Sequence, residues 1–282
     1  MELIFLSLVL IWLVVACAQD FKKREIPNWL CFSLIGVVLA YQGFNSILAW
    51  NIWPFAYALF GLGTFFGLGE LLYHSRGFGG GDAKLLMALG PVLSFASSIV
   101  MNLVIFGVFI FLLLFMGSIY GIVYSLVLVA GDFKKFRKEF SIISRSNKKM
   151  LWGFFIGAIA IAIIAFLIGE NIFFVLALLV LAFPLLYAYA KTVEESFFIG
   201  AVDSKKVTVG DWLHESVKVG KVTIKPYWEG LSEKEVEMLR KKYKGKVVIK
   251  QGIPFAPSFL FAFTALIVLW NLGIIQSFAG MF

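Results

Sequence analysis

The sequence predicts an all-α polytopic membrane protein of about 6-8 transmembrane helices with a small cytoplasmic α+β domain. Three observations predict it. Hydrophobic residues make up 61% of the 282 positions and charged ones only 15%, against roughly 45–50% and about 25% in soluble domains. The apolar residues, including 31 Phe, fall in uninterrupted stretches of the length a bilayer requires, about 17 to 25 residues. The 25 Lys and Arg are gathered into four segments, the pattern of loops retained on one side of a membrane. These features exclude a soluble globular enzyme. They also give the net charge of +8 a topological meaning, so the expected partner is the lipid bilayer and no nucleic acid is expected.

Candidate spans lie near residues 3-19, 27-43, 52-73, 84-100, 102-129, 151-169, 171-190 and 255-277. The first lacks a basic n-region and runs into Gln19-Asp20-Phe21-Lys22-Lys23-Arg24 rather than a small-residue cleavage site, which marks a retained helix and not a signal peptide. Gly90-Pro91 and Gly117 interrupt the run from Ala83 to Gly131, so counts of eight and seven both remain open. An alternating path through eight spans puts every basic residue on one face: Lys22, Lys23 and Arg24, then Arg76 and Lys84, then seven in 132-149 and thirteen in 191-250. The other face receives Glu2, the polar stretch from Gln42 to Asn51, and Gly169-Glu170-Asn171. The positive-inside bias makes the first face cytoplasmic, with both termini outside and the chain multi-pass in the plasma membrane.

The expected division is 1-130, a membrane-embedded core; 131-150, a basic cytoplasmic segment; 151-190, two further helices; 191-253, the small cytoplasmic domain; and 254-282, a C-terminal transmembrane helix. In the basic segment Phe133, Phe136 and Phe140 recur at helical spacing beside a cationic face, as in a helix resting on anionic lipid. In the small domain Val207-Thr-Val, Lys221-Val-Thr-Ile-Lys and Lys246-Val-Val-Ile-Lys suit strands. Ser232 and Glu235 form a capping-box signature for a helix ending near Gly245. His214 reads as a surface residue. Cys17 and Cys31 lie in apolar runs without a CxxC pair, so neither a disulfide framework nor a thiolate metal site is expected.

Acids at the ends of apolar spans are the first candidates for chemistry, because charge is costly in a membrane. Asp20, Glu25, Glu70 and Asp82 qualify. Asp20 closes the first span and Asp82 opens the fourth, so the topology puts both at one depth near the cytoplasmic face. Two neighbouring carboxylates do not both ionise easily. Such a pair supplies a base that takes a proton from water and an acid that polarises a carbonyl and protonates a leaving nitrogen. Which of the two holds the proton is open at this level. Ahead of Asp82, Gly77-Phe78-Gly79-Gly80-Gly81 places four glycines in five residues. This lets backbone approach closely and also suits a simple turn with an N-capping Asp. Lys84 either steadies the pair's charge or snorkels. Glu25 and Glu70 are lesser candidates, with a structural role favoured for Glu70. Gly63 and Gly67 are expected to permit close helix packing. An ion relay in a transporter is the competing use of such acids, although these acids sit at one face and no inverted repeat is evident.

Asp20-Phe-Lys-Lys-Arg-Glu-Ile26-Pro27-Asn28 followed by Gly79-Gly80-Gly81-Asp82-Ala83-Lys84 resembles the two active-site motifs of the GxGD aspartic proteases in the prepilin peptidase family. Asp211-Trp212-Leu213, Gly230-Leu231 and Gly252-Ile253-Pro254-Phe255 are similar to the C-terminal region of archaeal members, including preflagellin peptidases. The resemblance implies Asp20 and Asp82 as the catalytic pair, with Gly79, Gly81, Lys84, Pro27 and Asn28 supporting and positioning it. It implies removal of short basic leader peptides from type IV pilin-like or archaellin precursors, at the cytoplasmic membrane face and without cofactor or metal. Bacterial members usually carry a cysteine-rich cytoplasmic domain and N-methylate the product. This chain lacks such a domain, and the expectation is a peptidase without methyltransferase activity.

Overall fold

The structure, a computed structural model, describes residues 3–169, 171–220, 222–227 and 229–279. Glu2, Glu170 and Lys221, which figure in the topology and strand expectations, lie outside the described residues, as do the last three of the C-terminal segment. The chain divides into two units: one made of the residues up to Ile122 together with those from Ile253 onward, the other Val123–Gly252.

The first unit holds α1 (Leu3–Lys23), α2 (Asn28–Leu48), α3 (Trp53–His74), α4 (Gly80–Leu93), most of α5 (Ile99–Gly131), α10 (Ala256–Asn271) and α11 (Ile274–Ala279). Its core is continuous from Val9, Leu13 and Leu34 through Phe65, Leu86 and Leu89 to Phe109, Phe259 and Phe263. Many aliphatic and aromatic side chains face outward instead, among them Ile11, Phe32, Phe66 and Phe111. That distribution is impossible to solvate with water and natural in lipid. Among the described residues six helices are long and apolar enough to cross a membrane, so the protein is a polytopic helical membrane protein with a small sheet region.

Two of the eight candidate spans are shorter than expected. The 84-100 stretch becomes α4, which has 14 residues and contains Pro91; at 1.5 Å per residue it is about 21 Å long, against about 30 Å of hydrocarbon. Residues 94–98 leave the helix and are held by buried Asn102, whose side chain accepts from Ala96 N–H at 2.9 Å and donates to Ala96 C=O at 3.1 Å. The last span is the 16-residue α10, separated from α11 by Gly273 at φ 74°.

The expected packing role of Gly63 and Gly67 is not observed: a Cβ added at either meets nothing within 4 Å. The close crossing of α3 and α4 uses Gly61 and Gly69. A Cβ at Gly61 would lie 1.9 Å from Ser94 Oγ and 2.4 Å from Gly90 O, and one at Gly69 would lie 2.9 Å from Met87. Ala58, Gly61, Phe65 and Gly69 are the buried positions of α3, spaced at three and four residues along one helix face. Gly63 and Gly67 fall on another face.

The second unit contains the basic helix α6 (Phe133–Ser146), then α7 (Lys148–Ile168) and α8 (Asn171–Val193), and the sheet region. Asp132 caps α6 by accepting Lys135 N–H at 3.0 Å, and Phe133, Phe136 and Phe140 stack along it. Five strands follow: β1 (Ile199–Asp203), β2 (Trp212–Leu213), β3 (Val217–Val219), β4 (Val222–Ile224) and β5 (Lys246–Lys250). β5 is central and antiparallel to both β1 and β2, while β3 and β4 form a separate antiparallel pair. Val207-Thr-Val is not a strand. Residues 204–206 form a single 3-10 turn, and buried Val207 directs its carbonyl to the Arg240 guanidinium, which donates from Nε at 3.1 Å and Nη2 at 2.8 Å. α9 (Glu233–Lys242) starts where expected: Glu235 accepts from Ser232 N–H at 2.9 Å and from its hydroxyl at 2.7 Å.

Candidate active site

Asp20 sits in the last turn of α1, where the carbonyl end of the helix disfavours an acid. It is nevertheless buried, at 6% exposure. The compensation comes from the far end of the chain: Ala256 N–H donates to Asp20 Oδ2 at 2.9 Å. Ala256 opens α10 with Pro257 in the first turn, so its N–H is one of the donors that a helix start leaves without an internal partner. α1 is also tied to α2 by Trp12 Nε1–H, which donates to Ser33 Oγ at 3.0 Å.

Asp82 lies in the first turn of α4, half-buried, where the positive end of the helix favours an acid. Gly79, the N-cap, turns its backbone N–H onto the Asp82 carboxylate, and the charge of Asp20 acts on the same group. The two aspartates are therefore within electrostatic reach of each other. The glycines ahead of Asp82 differ in what they do. A Cβ at Gly79 would come 3.2 Å from Asp82 Oδ2, and one at Gly81 would come 3.3 Å from Ile26 N and 3.4 Å from Ile26 Cβ. At Gly80 the nearest atom would be Tyr73 Cε2, at an ordinary 3.7 Å.

Gly81 thus packs on the Ile26-Pro27-Asn28 segment that follows the first aspartate. Pro27, extended at φ −68° and ψ 140°, is the N-cap of α2. Asn28 begins that helix, and its Oδ1 accepts a 2.8 Å hydrogen bond from Lys84 Nζ. All seven residues expected from the motifs are brought into one neighbourhood. Three aromatic rings close it on the side of α10: Phe78 lies 5.5 Å from Phe255 and 6.0 Å from Phe259, which are 5.8 Å from each other.

The lesser candidates lie apart from this arrangement. Glu25 is exposed. Glu70 pairs with His74 Nδ1 at 3.4 Å one helical turn away. In the second unit His214 is exposed, and Asp211 accepts Thr208 N–H at 2.7 Å within a turn. Sequence reasoning missed Ala256, Phe78 and Phe255 as parts of the site. The available signal was Gly252-Ile253-Pro254-Phe255 and the helix-opening Pro257, which mark where α10 begins but not what its first N–H meets.

Fold and site together define a class: a polytopic helical membrane protein in which two short motifs bring a pair of carboxylates together at one end of a helix bundle. Residues 7–136 match the model of the type IV leader peptidase family, a stretch that contains both aspartate motifs. The family resemblance read from those motifs is thereby shown over that region. The chain is 32% identical over 99 residues to the prepilin peptidase EppA of Methanothermobacter thermautotrophicus, covering 35% of this chain and 26% of that protein. It is 34% identical over 86 residues to the preflagellin peptidase of Methanococcus voltae, covering 30% and 36% respectively. With the preflagellin peptidase of Methanococcus maripaludis it shares 34% identity over 82 residues, covering 28% and 34%. The chain thus matches only about a quarter to a third of the length of these relatives. No solved structure matches it.

Proposed function

We propose that this protein is a membrane aspartic endopeptidase of the GxGD type. It removes short basic leader peptides from type IV pilin-like or archaellin precursors at the cytoplasmic membrane face. The observation that carries the reading is the convergence of the two motifs: Gly81 on Ile26, Lys84 on Asn28, and the charge of Asp20 acting on Asp82. One carboxylate takes a proton from water as it adds to the scissile carbonyl. The other donates a hydrogen bond to the carbonyl oxygen and then a proton to the leaving nitrogen. A precursor with a basic leader and an apolar helix lies in the bilayer with its junction at the interface, the level at which α1 ends and α4 begins. The clustering of Lys22, Lys23, Arg24, Arg76 and Lys84 around these helix ends supports a cytoplasmic site with both termini outside. The first cytoplasmic loop is a few residues long and contains no cysteine, which supports a peptidase that transfers no methyl group.

The test is cleavage of a leader-bearing pilin-like or archaellin-like precursor by the purified protein, wild type beside Asp20→Asn and Asp82→Asn. Both variants are expected to lose activity by at least about a thousandfold, the scale on which removal of an essential acid or base acts. Cleavage that survives either substitution overturns the dyad, and methyl transfer from S-adenosylmethionine overturns the second part of the reading.

A further inference from the structure

Each aspartate takes a backbone N–H from a residue that directly follows a phenylalanine. Ala256, whose N–H donates to Asp20 Oδ2 at 2.9 Å, comes after Phe255, and the Phe255 N–H acts on the same carboxylate. Gly79, whose N–H turns onto Asp82, comes after Phe78. The two rings touch, with centroids 5.5 Å apart, inside the range of a favourable aromatic pair. The elements that carry them are distant in sequence. Phe78 belongs to the turn after α3, its N–H bonded to the Leu72 carbonyl at 3.1 Å, and Phe255 is the N-cap of α10.

A third element meets Phe255. A Cβ at Gly117 on α5 would lie 2.7 Å from Phe255 Cζ, 2.9 Å from its Cε2 and 3.6 Å from Ser258 Oγ. Gly117 is buried, and its missing side chain is what lets α5 and the ring approach this closely. Phe78 and Phe259 already pack on the same ring, the latter at 5.8 Å. A push from α5 is therefore not absorbed by the ring alone, because dense packing passes displacement on. It reaches Phe78, which precedes the Asp82 donor, or the backbone of Phe255, which precedes the Asp20 donor. Filling the core alone calls for bulk at both positions, with no need for a glycine opposite or for adjacency to both donors.

We propose, on the reading of Asp20 and Asp82 as the catalytic pair, that Phe78 and Phe255 are positioning residues that set the two carboxylates relative to each other. Gly117 is the seat of the Phe255 ring. Purified full-length Phe78→Leu, Phe255→Leu, the double variant, Gly117→Ala and Gly121→Ala are compared with wild type on a leader-bearing precursor over a range of concentrations. Phe78→Leu, Phe255→Leu and Gly117→Ala are each expected to lower kcat about fivefold or more with KM within about twofold, since misplaced reacting groups lose rate while substrate binding is untouched. The double leucine variant should be little worse than either single one, because residues that act through one contact are not additive. Gly121→Ala, one turn further along α5 where a Cβ meets nothing within 4 Å, should match wild type. The leucines open space where the alanine fills it, so they carry the test if Gly117→Ala fails to fold. Unchanged kcat in all three, a raised KM at unchanged kcat, or additive losses in the double variant overturns the proposal. Asp20→Asn in the same assay separates the two readings. Cleavage that survives it overturns the catalytic pair itself, whereas its loss beside wild-type rates in the phenylalanine variants overturns the positioning role alone.

Discussion

Lys84 donates a 2.8 Å hydrogen bond to Asn28 across 56 residues of sequence, so the side chain trailing the second aspartate grips the residue that opens α2. The bond joins one motif to the other, and its loss should loosen the geometry of the carboxylate pair without removing either acid. Lys84 and Asn28 are both exposed, where such a bond is worth about 1 kcal/mol. Asn28→Ala and Lys84→Met are each expected to slow precursor cleavage about threefold to tenfold. The double variant should be little worse than either single one. A double-mutant cycle on kcat/KM checks this, and additive losses would separate the two residues.

The three glycines before Asp82 should respond unequally to alanine. Gly80→Ala places its methyl in ordinary contact with Tyr73 and should retain nearly full activity. Gly81→Ala presses on the backbone of Ile26 at 3.3 Å, and Gly79→Ala on the Asp82 carboxylate at 3.2 Å. Both should lower kcat by about tenfold or more, since a small displacement of reacting groups is expensive in rate. Cleavage assays on the three variants at equal expression decide the matter.

Packing of α3 on α4 yields a stability prediction independent of catalysis. Gly61→Ala drives a methyl into Ser94 Oγ and the Gly90 carbonyl, and overpacking of this kind typically costs about 1–3 kcal/mol. Gly63→Ala meets nothing and should leave the melting temperature unchanged or slightly raised, alanine being the better helix former. Thermal unfolding in detergent distinguishes the two.

In the second unit, the start of α9 depends on the pairing of Ser232 with Glu235. Glu235→Ala removes the acceptor of two hydrogen bonds and should destabilise that helix by about 0.5–2 kcal/mol. The loss should appear as faster amide exchange in residues 233–242 of the full chain, with cleavage by the first unit unaffected.

Much of the site could be read from local patterns because its acids stand out against an apolar background. Asp20 and Asp82 are legible from charge placement, the glycine run and Lys84 from what flanks Asp82, and Pro27 and Asn28 only through the resemblance of the two motifs to those of the family. What pairs with what was not readable: the Lys84–Asn28 bond and the Gly81–Ile26 contact depend on how α2 packs beside α4. The Ala256 donor is further removed still, since a backbone N–H carries no side-chain signature. Apolar stretches of bilayer length locate the long helices, but the span drawn over 84-100 runs past Ser94, Ser97 and Ser98, where α4 has already ended. In α3, glycine content suggested close packing, and only the helix face showed that Gly61 and Gly69 carry it. Val207-Thr-Val has strand composition, yet its carbonyl is taken by Arg240 instead of a neighbouring strand.

Asp20 receives its hydrogen bond from a residue 236 positions later in the chain, which sets an order of events during biogenesis. Translation at about 5–20 residues per second separates the two by roughly 12–47 s. From Asp82 onward a partly made chain carries both carboxylates without the N–H that meets the first, and the whole of Val123–Gly252 must be synthesised before it arrives. The surroundings of Asp20 are thereby completed only once α10, near the end of the chain, has been made.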